Sequence, residues 1–157
     1  MGSRLCVRCR GSTAPHVLES AAGEAEPLAL NLQGMPILAC EKGHRQFVHP
    51  EFPRLLLEHL IGEDESRLPA GRKQGLLLKH YHCGGCGERL QAQPDHRETF
   101  PFEVTLPELA PFRVELTAPV YRCPACSREQ LHCLDDVRQR TPVALSHAFQ
   151  AAGIPPA

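Results

Sequence analysis

The sequence predicts a mainly β fold of the small α+β kind, laid out as two tandem modules. Three observations predict it. Six of the eight cysteines form Cys-x-x-Cys pairs, Cys6/Cys9, Cys83/Cys86 and Cys123/Cys126, and Cys40-Glu41-Lys42-Gly43-His44 supplies a fourth half-site. Apolar and polar residues alternate ahead of Cys40 and again ahead of Cys123, the mark of strands with one buried face. The two halves also repeat one plan: a knuckle, a long β insert, then a strand running into a second knuckle.

The first module spans 1–62. After Cys6 and Cys9, His16-Val17-Leu18-Glu19 is expected to pair with Leu28–Leu32 across an Ala/Gly/Glu loop. Leu28, Leu30 and Leu32 alternate with Ala29, Asn31 and Gln33, as Phe112, Val114 and Leu116 alternate with Arg113, Glu115 and Thr117. Pro36 and Pro119 each stand four residues before a Cys, and the first module has one extra residue upstream of its Pro. Gly34 is expected to absorb it as a bulge. A short helix near 51–61 has Pro50 and Pro53 at its start and Gly62 as its stop.

The charged stretch 63–75, with Pro69, Gly71 and Gly75, reads as a linker. In the second module, 76–140, Phe102–Leu106 and Phe112–Leu116 predict a hairpin with one apolar and one charged face. A second short helix and tail occupy 141–157, with Thr141-Pro142 as cap and first turn and Gly153 as stop.

Composition narrows the function classes. Leu, Ile, Val and Phe fill 38 of the 157 positions and the net charge is only −1, which excludes a disordered acidic or basic chain. Apolar runs such as Leu55–Leu57 and Leu76–Leu78 fall far short of the ~18 residues of a membrane span, so no membrane partner is expected. Met1-Gly2-Ser3-Arg4-Leu5-Cys6 lacks the apolar segment of a secretory signal, and Cys6 stands where a myristoylation site needs Ser or Thr. A cytoplasmic location is expected. The 14 Arg and 3 Lys are scattered, unlike the basic excess of a dedicated duplex binder.

Thiolate and imidazole are the ligands that zinc prefers, and four close a tetrahedral structural site. Order groups Cys6, Cys9, Cys40 and His44 as one set, with 30 residues between its halves. His49 is the alternative fourth ligand. Cys83, Cys86, Cys123 and Cys126 form the other set, with 36 residues between halves. Two structural zinc ions are therefore expected. Disulfides would need an oxidising compartment, and a redox dithiol would open a helix, whereas Gly87 follows the Cys83/Cys86 pair. Cys133 is left over and is expected as a buried thiol in a strand, its alternative being an exchangeable ligand beside His132, His80 or His82.

With these half-sites the chain resembles the zinc-ribbon (zinc β-ribbon) superfamily. The long β insert and Cys123-Pro124-Ala125-Cys126 are loosely similar to bacterial CPXC-type zinc-ribbon domains, from which Cys40-x-x-x-His44 departs. The resemblance implies a structural metal and a small all-β unit, without fixing an activity. Two closed sites and no recognisable catalytic motif point to a non-catalytic protein-interaction or regulatory module with an unidentified protein partner. The alternatives are nucleic-acid binding through Arg8, Arg10, Arg72, Lys73, Lys79 and Arg122, with Tyr81 and Tyr121 as stacking platforms, and a metal-handling or redox role for Cys133 and His132.

Overall fold

The computed structural model describes residues 4–156; the chain start Met1–Ser3 and the terminal Ala157 lie outside the described residues. The chain is mainly β with two α-helices, the fold class expected. Its centre is a six-stranded antiparallel sheet built from β1 (Thr13–Ala25), β2 (Leu28–Cys40), β3 (Arg45–Gln46), β6 (His96–Val104), β7 (Phe112–Arg122) and β8 (Glu129–Gln130). The order is β1-β2-β7-β6, with β3 added to β2 and β8 to β7. A separate hairpin pairs β4 (Arg72–Gln74) with β5 (His80–His82).

The two alternating stretches meet in the middle of the sheet. Leu30 faces Leu116, Leu32 faces Val114, and Asn31 faces Glu115 across β2 and β7. The strand sets β1-β2-β3 and β6-β7-β8 therefore join through β2 and β7. Leu28, Leu30 and Leu32 share one buried face with Phe112, Val114 and Leu116.

Both helices cover that face. α1 (Phe52–His59) places Phe52 6.1 Å from the ring of Phe112 and 5.9 Å from Phe47. α2 (Leu134–Ala151) turns Val137, Thr141, Ala144, Leu145, Ala148 and Phe149 inward at helical spacing. Among the described residues no helix is long and apolar enough to cross a membrane.

Several elements differ from the sequence reading. β1 runs from Thr13 to Ala25, through the stretch expected to be a loop, and only Glu26-Pro27 separates it from β2. Leu28 to Leu32 therefore pair with Ala21 to Ala25, while His16 and Leu18 face Ile37 and Met35. Gly34 does adopt φ +72, but Leu18↔Met35 and Ser20↔Gln33 flank it in one register. The buried set slips by one residue on both strands, from Leu18 to Ala21 and from Leu32 to Met35. The extra residue is thus matched on both strands rather than bulged from one.

Gly62 does not stop the first helical segment. α1 continues through a π-helical turn, Leu60–Asp64, and a 3-10 turn, Glu65–Arg67. Leu60 and Glu65 are fully buried there, so packing outweighs the glycine. The rest of 63–75 lies against the second half: Leu131 N–H donates to Pro69 O and Gly71 N–H to Leu131 O, both at 2.9 Å. The second helix is not short. It starts at Leu134, with Cys133 as extended N-cap and Pro142 inside. Asp135 and Asp136 favour that start electrostatically, and Thr141 bonds back to Val137 O (2.9 Å) instead of capping.

Candidate metal centres

Each Cys-x-x-Cys pair sits on the same tight turn. Cys6, Cys83 and Cys123 donate their N–H to Gly11, Glu88 and Arg128 O at 2.8, 2.7 and 2.9 Å. Arg10, Gly87 and Ser127 donate back to the carbonyl of the leading Cys at 2.9, 3.0 and 2.9 Å. Those three residues all take the left-handed conformation, with φ of 63, 84 and 68°. The turn closes there and points both sulfurs to one side.

The Cys40 turn is one residue shorter. Cys40 N–H reaches His44 O (3.1 Å), and Gly43, with φ 84°, donates to Cys40 O (2.9 Å). The left-handed residue thus occupies the place where the other turns carry their second Cys. The fourth donor comes one residue later, from a side chain long enough to reach back, and that is His44. His49 instead lies edge-on to Phe52, with ring centroids 6.2 Å apart.

The structure brings together Cys6, Cys9, Cys40 and His44 at one place and Cys83, Cys86, Cys123 and Cys126 at another. Within each group the ligand atoms all lie within 4.8 Å of one another. These are the two sets expected from chain order, and each could hold a metal ion. A tetrahedral ion with bonds of about 2.3 Å to sulfur separates neighbouring sulfurs by about 3.8 Å, and a sulfur from an imidazole nitrogen by about 3.5 Å. The Sγ–Sγ separations are 3.8 Å for Cys9–Cys40, 3.6 Å for Cys83–Cys126 and 3.5 Å for Cys86–Cys123. Cys6 Sγ lies 3.5 Å from His44 Nδ1.

Backbone and amide donors surround the sulfurs. Arg8 N–H points at Cys6 Sγ (3.4 Å), Gly85 N–H at Cys83 Sγ (3.3 Å) and Cys126 N–H at Cys123 Sγ (3.5 Å). The Cys83 thiol is held down to about 5, first by the Gln130 side chain and then by backbone N–H groups. At Cys6 burial opposes ionisation, but the N–H groups of Cys9 and Arg8 outweigh it and hold the thiol at about 6. At Cys86 the Glu88 N–H favours the thiolate. The neighbouring sulfurs and burial outweigh it and push the thiol up to about 12. Four thiols this close cannot all ionise without a cation, and a divalent ion is what their geometry accommodates.

Two glutamines complete the sites and were not singled out in the sequence. Fully buried Gln130 accepts Gly84 N–H on Oε1 (2.8 Å) and donates from Nε2 to Cys83 Sγ (3.1 Å). Its counterpart Gln46 accepts Val7 N–H on Oε1 (2.9 Å) and donates to Leu5 O (3.3 Å). Each glutamine holds the residue after a leading cysteine. The sequence carried a signal for them: both stand three residues after the left-handed residue of a second knuckle, Gly43 or Ser127.

Other singled-out residues lie elsewhere. Cys133 is buried at the start of α2, outside both groups. His132 is sandwiched between Tyr81 and Tyr121, with centroids at 4.1 and 3.3 Å and near-parallel planes, and burial holds its pKa down. Tyr81 also donates to Asp136 (2.5 Å). Each tyrosine therefore commits a ring face within the chain. Arg8, Arg72, Lys79 and Arg122 are exposed, as is His82 in part.

Compared with known proteins, the chain matches no protein-family model, no curated protein and no solved structure.

Proposed function

We propose that the chain is a non-catalytic zinc-ribbon-like protein whose two structural zinc ions fix a surface for a protein partner. The observation that carries this reading is the pair of complete four-donor groups, one at the knuckle end of each half of a single sheet. Four protein donors leave no coordination position for water, which a hydrolytic zinc keeps open. Three or four thiolates favour zinc over hard cations. A support role also suits the size of each half, whose three strands have little apolar area of their own.

Elemental analysis of the purified folded chain should find two zinc ions per molecule. Fewer than two would overturn the assignment. A partner that copurifies in fixed stoichiometry, and leaves when zinc is chelated, is the result expected of the interaction role. Salt-sensitive nucleic-acid binding without any protein partner would overturn that role. The occupied faces of Tyr81 and Tyr121 weigh against stacking on bases.

A further inference from the structure

The hairpin β4–β5 ends in Gly75-Leu76-Leu77-Leu78-Lys79, and its three leucines are 100, 97 and 75 % exposed. Single exposed leucines are ordinary, but three in succession at a projecting tip are not. The hairpin is held firmly at its base. Lys73 Nζ lies 3.1 Å from Asp136 at the start of α2, and Asp136 also accepts the Tyr81 hydroxyl. Gly71 N–H is bonded to Leu131 O, and β5 runs directly into Cys83. The second metal group and α2 therefore present the tip rather than cover it.

We infer that this leucine finger inserts into the headgroup region of an anionic phospholipid surface. Two features of the chain select that occupant. Charge is the first: residues 66–87 contain Arg67, Arg72, Lys73 and Lys79 and no Asp or Glu, in a chain whose net charge is −1, and while Asp136 matches Lys73, Arg72 and Lys79 stand exposed on the hairpin. Two of the three lysines in the chain bracket the finger. Cations beside an apolar tip are attracted to anionic headgroups. Shape is the second. Leu76–Leu78 form the bend between the strands, and all three side chains are open to solvent. A fluid interface surrounds such a tip, whereas a flat protein groove covers one side of it. Insertion is shallow, because the loop backbone must keep its hydrogen-bond partners.

The inference builds on the reading of the chain as an interaction module, and its test is independent of the zinc count. The full zinc-loaded chain is sedimented with vesicles of phosphatidylcholine containing about a third phosphatidylserine, and with phosphatidylcholine alone. Binding to the anionic vesicles is expected, stronger by about tenfold or more at low salt and weakened by added salt. Replacing all three residues, Leu76→Ser, Leu77→Ser and Leu78→Ser, should lower it by about tenfold or more while metal content and melting stay unchanged.

The chain has no Trp, so Leu77→Trp gives a second readout. Its emission should shift to the blue with anionic vesicles and become shielded from an aqueous quencher. No cosedimentation at low salt, a triple variant that binds like the parent, or an unshifted Trp would each overturn the inference. The finger would then be assigned to a pocket on a protein.

Discussion

Beyond the four donors of each group, Gln130 marks the difference between the two sites. Its amide reaches Cys83 Sγ at 3.1 Å, whereas the amide of Gln46 spends its donor on Leu5 O. Outer partners of this kind tune affinity by about 10–100-fold. Gln130→Ala should weaken metal binding at the Cys83 group by that factor, and Gln46→Ala should leave the Cys6 group closer to the parent. Competition against a chromogenic chelator measures both, and equal losses would refute the distinction. Buried Glu65 carries a different consequence. Its Oε2 lies 2.6 Å from Thr141 Oγ1, its Oε1 has no partner among the described residues, and burial raises its pKa to about 7. A protonated Glu65 can donate to Thr141, which then donates to Val137 O. A carboxyl with a raised folded pKa binds more protons folded than unfolded, so its contribution falls as pH rises from its ordinary value to about 7. The loss is roughly 2–3 kcal/mol. Glu65→Gln should remove that slope, gaining on the parent between pH 5 and pH 8 in urea denaturation. Parallel pH profiles would count against it.

At the scale of elements, β1 and α2 explain each other. A Cβ on Gly23 would collide with Ala144 O and Ala148 N of the helix, so a small-residue strand lets a small-residue helix face settle close. Gly23→Ala should destabilise by about 2 kcal/mol, within the range for overpacking, while exposed Ala22→Thr should change little. Equal melting temperatures for Gly23→Ala and the parent would show that the helix yields. The same pair marks where sequence reading stops. β7 was legible because Phe112, Val114, Leu116, Ala118 and Val120 alternate without a break. The second half of β1 reads Ser20-Ala21-Ala22-Gly23-Glu24-Ala25, a poor strand by local preference. Only the docked helix accounts for it. Likewise Thr141-Pro142 resembles a helix start, and Leu134–Arg140 lacked a local stop or cap to contradict that reading. The two groups of four Cys/His donors were legible because the geometry of a metal site fixes spacing locally, before any packing acts.

For the whole molecule, the question is how far loss of one metal group spreads. Each half contains one group, and structural zinc contributes about 10–16 kcal/mol of apparent binding energy in small peptides. If the halves folded separately, Cys126→Ser would melt the second and spare the first. The packing argues for a shared fate. Leu30 and Leu32 of β2 face Leu116 and Val114 of β7 in the middle of one sheet. Phe52 of α1 contacts the ring of Phe112, and Arg45 beside the first metal group donates to Ala152 O beyond α2 (3.0 Å). One cluster of buried residues runs from Leu18 to Ile154. Melting β7 would expose the apolar face of β2, and lost burial costs ~25 cal/mol per Å² against a net stability of only about 5–15 kcal/mol for a typical domain. Cys126→Ser should therefore give a single transition, in which loss of circular dichroism and release of the metal held by Cys6, Cys9, Cys40 and His44 coincide. Cys133→Ser, outside both groups, is the control and should keep both ions. Two separate transitions in Cys126→Ser, with the first group still loaded after the first of them, would mean that the sheet joins two independent folding units.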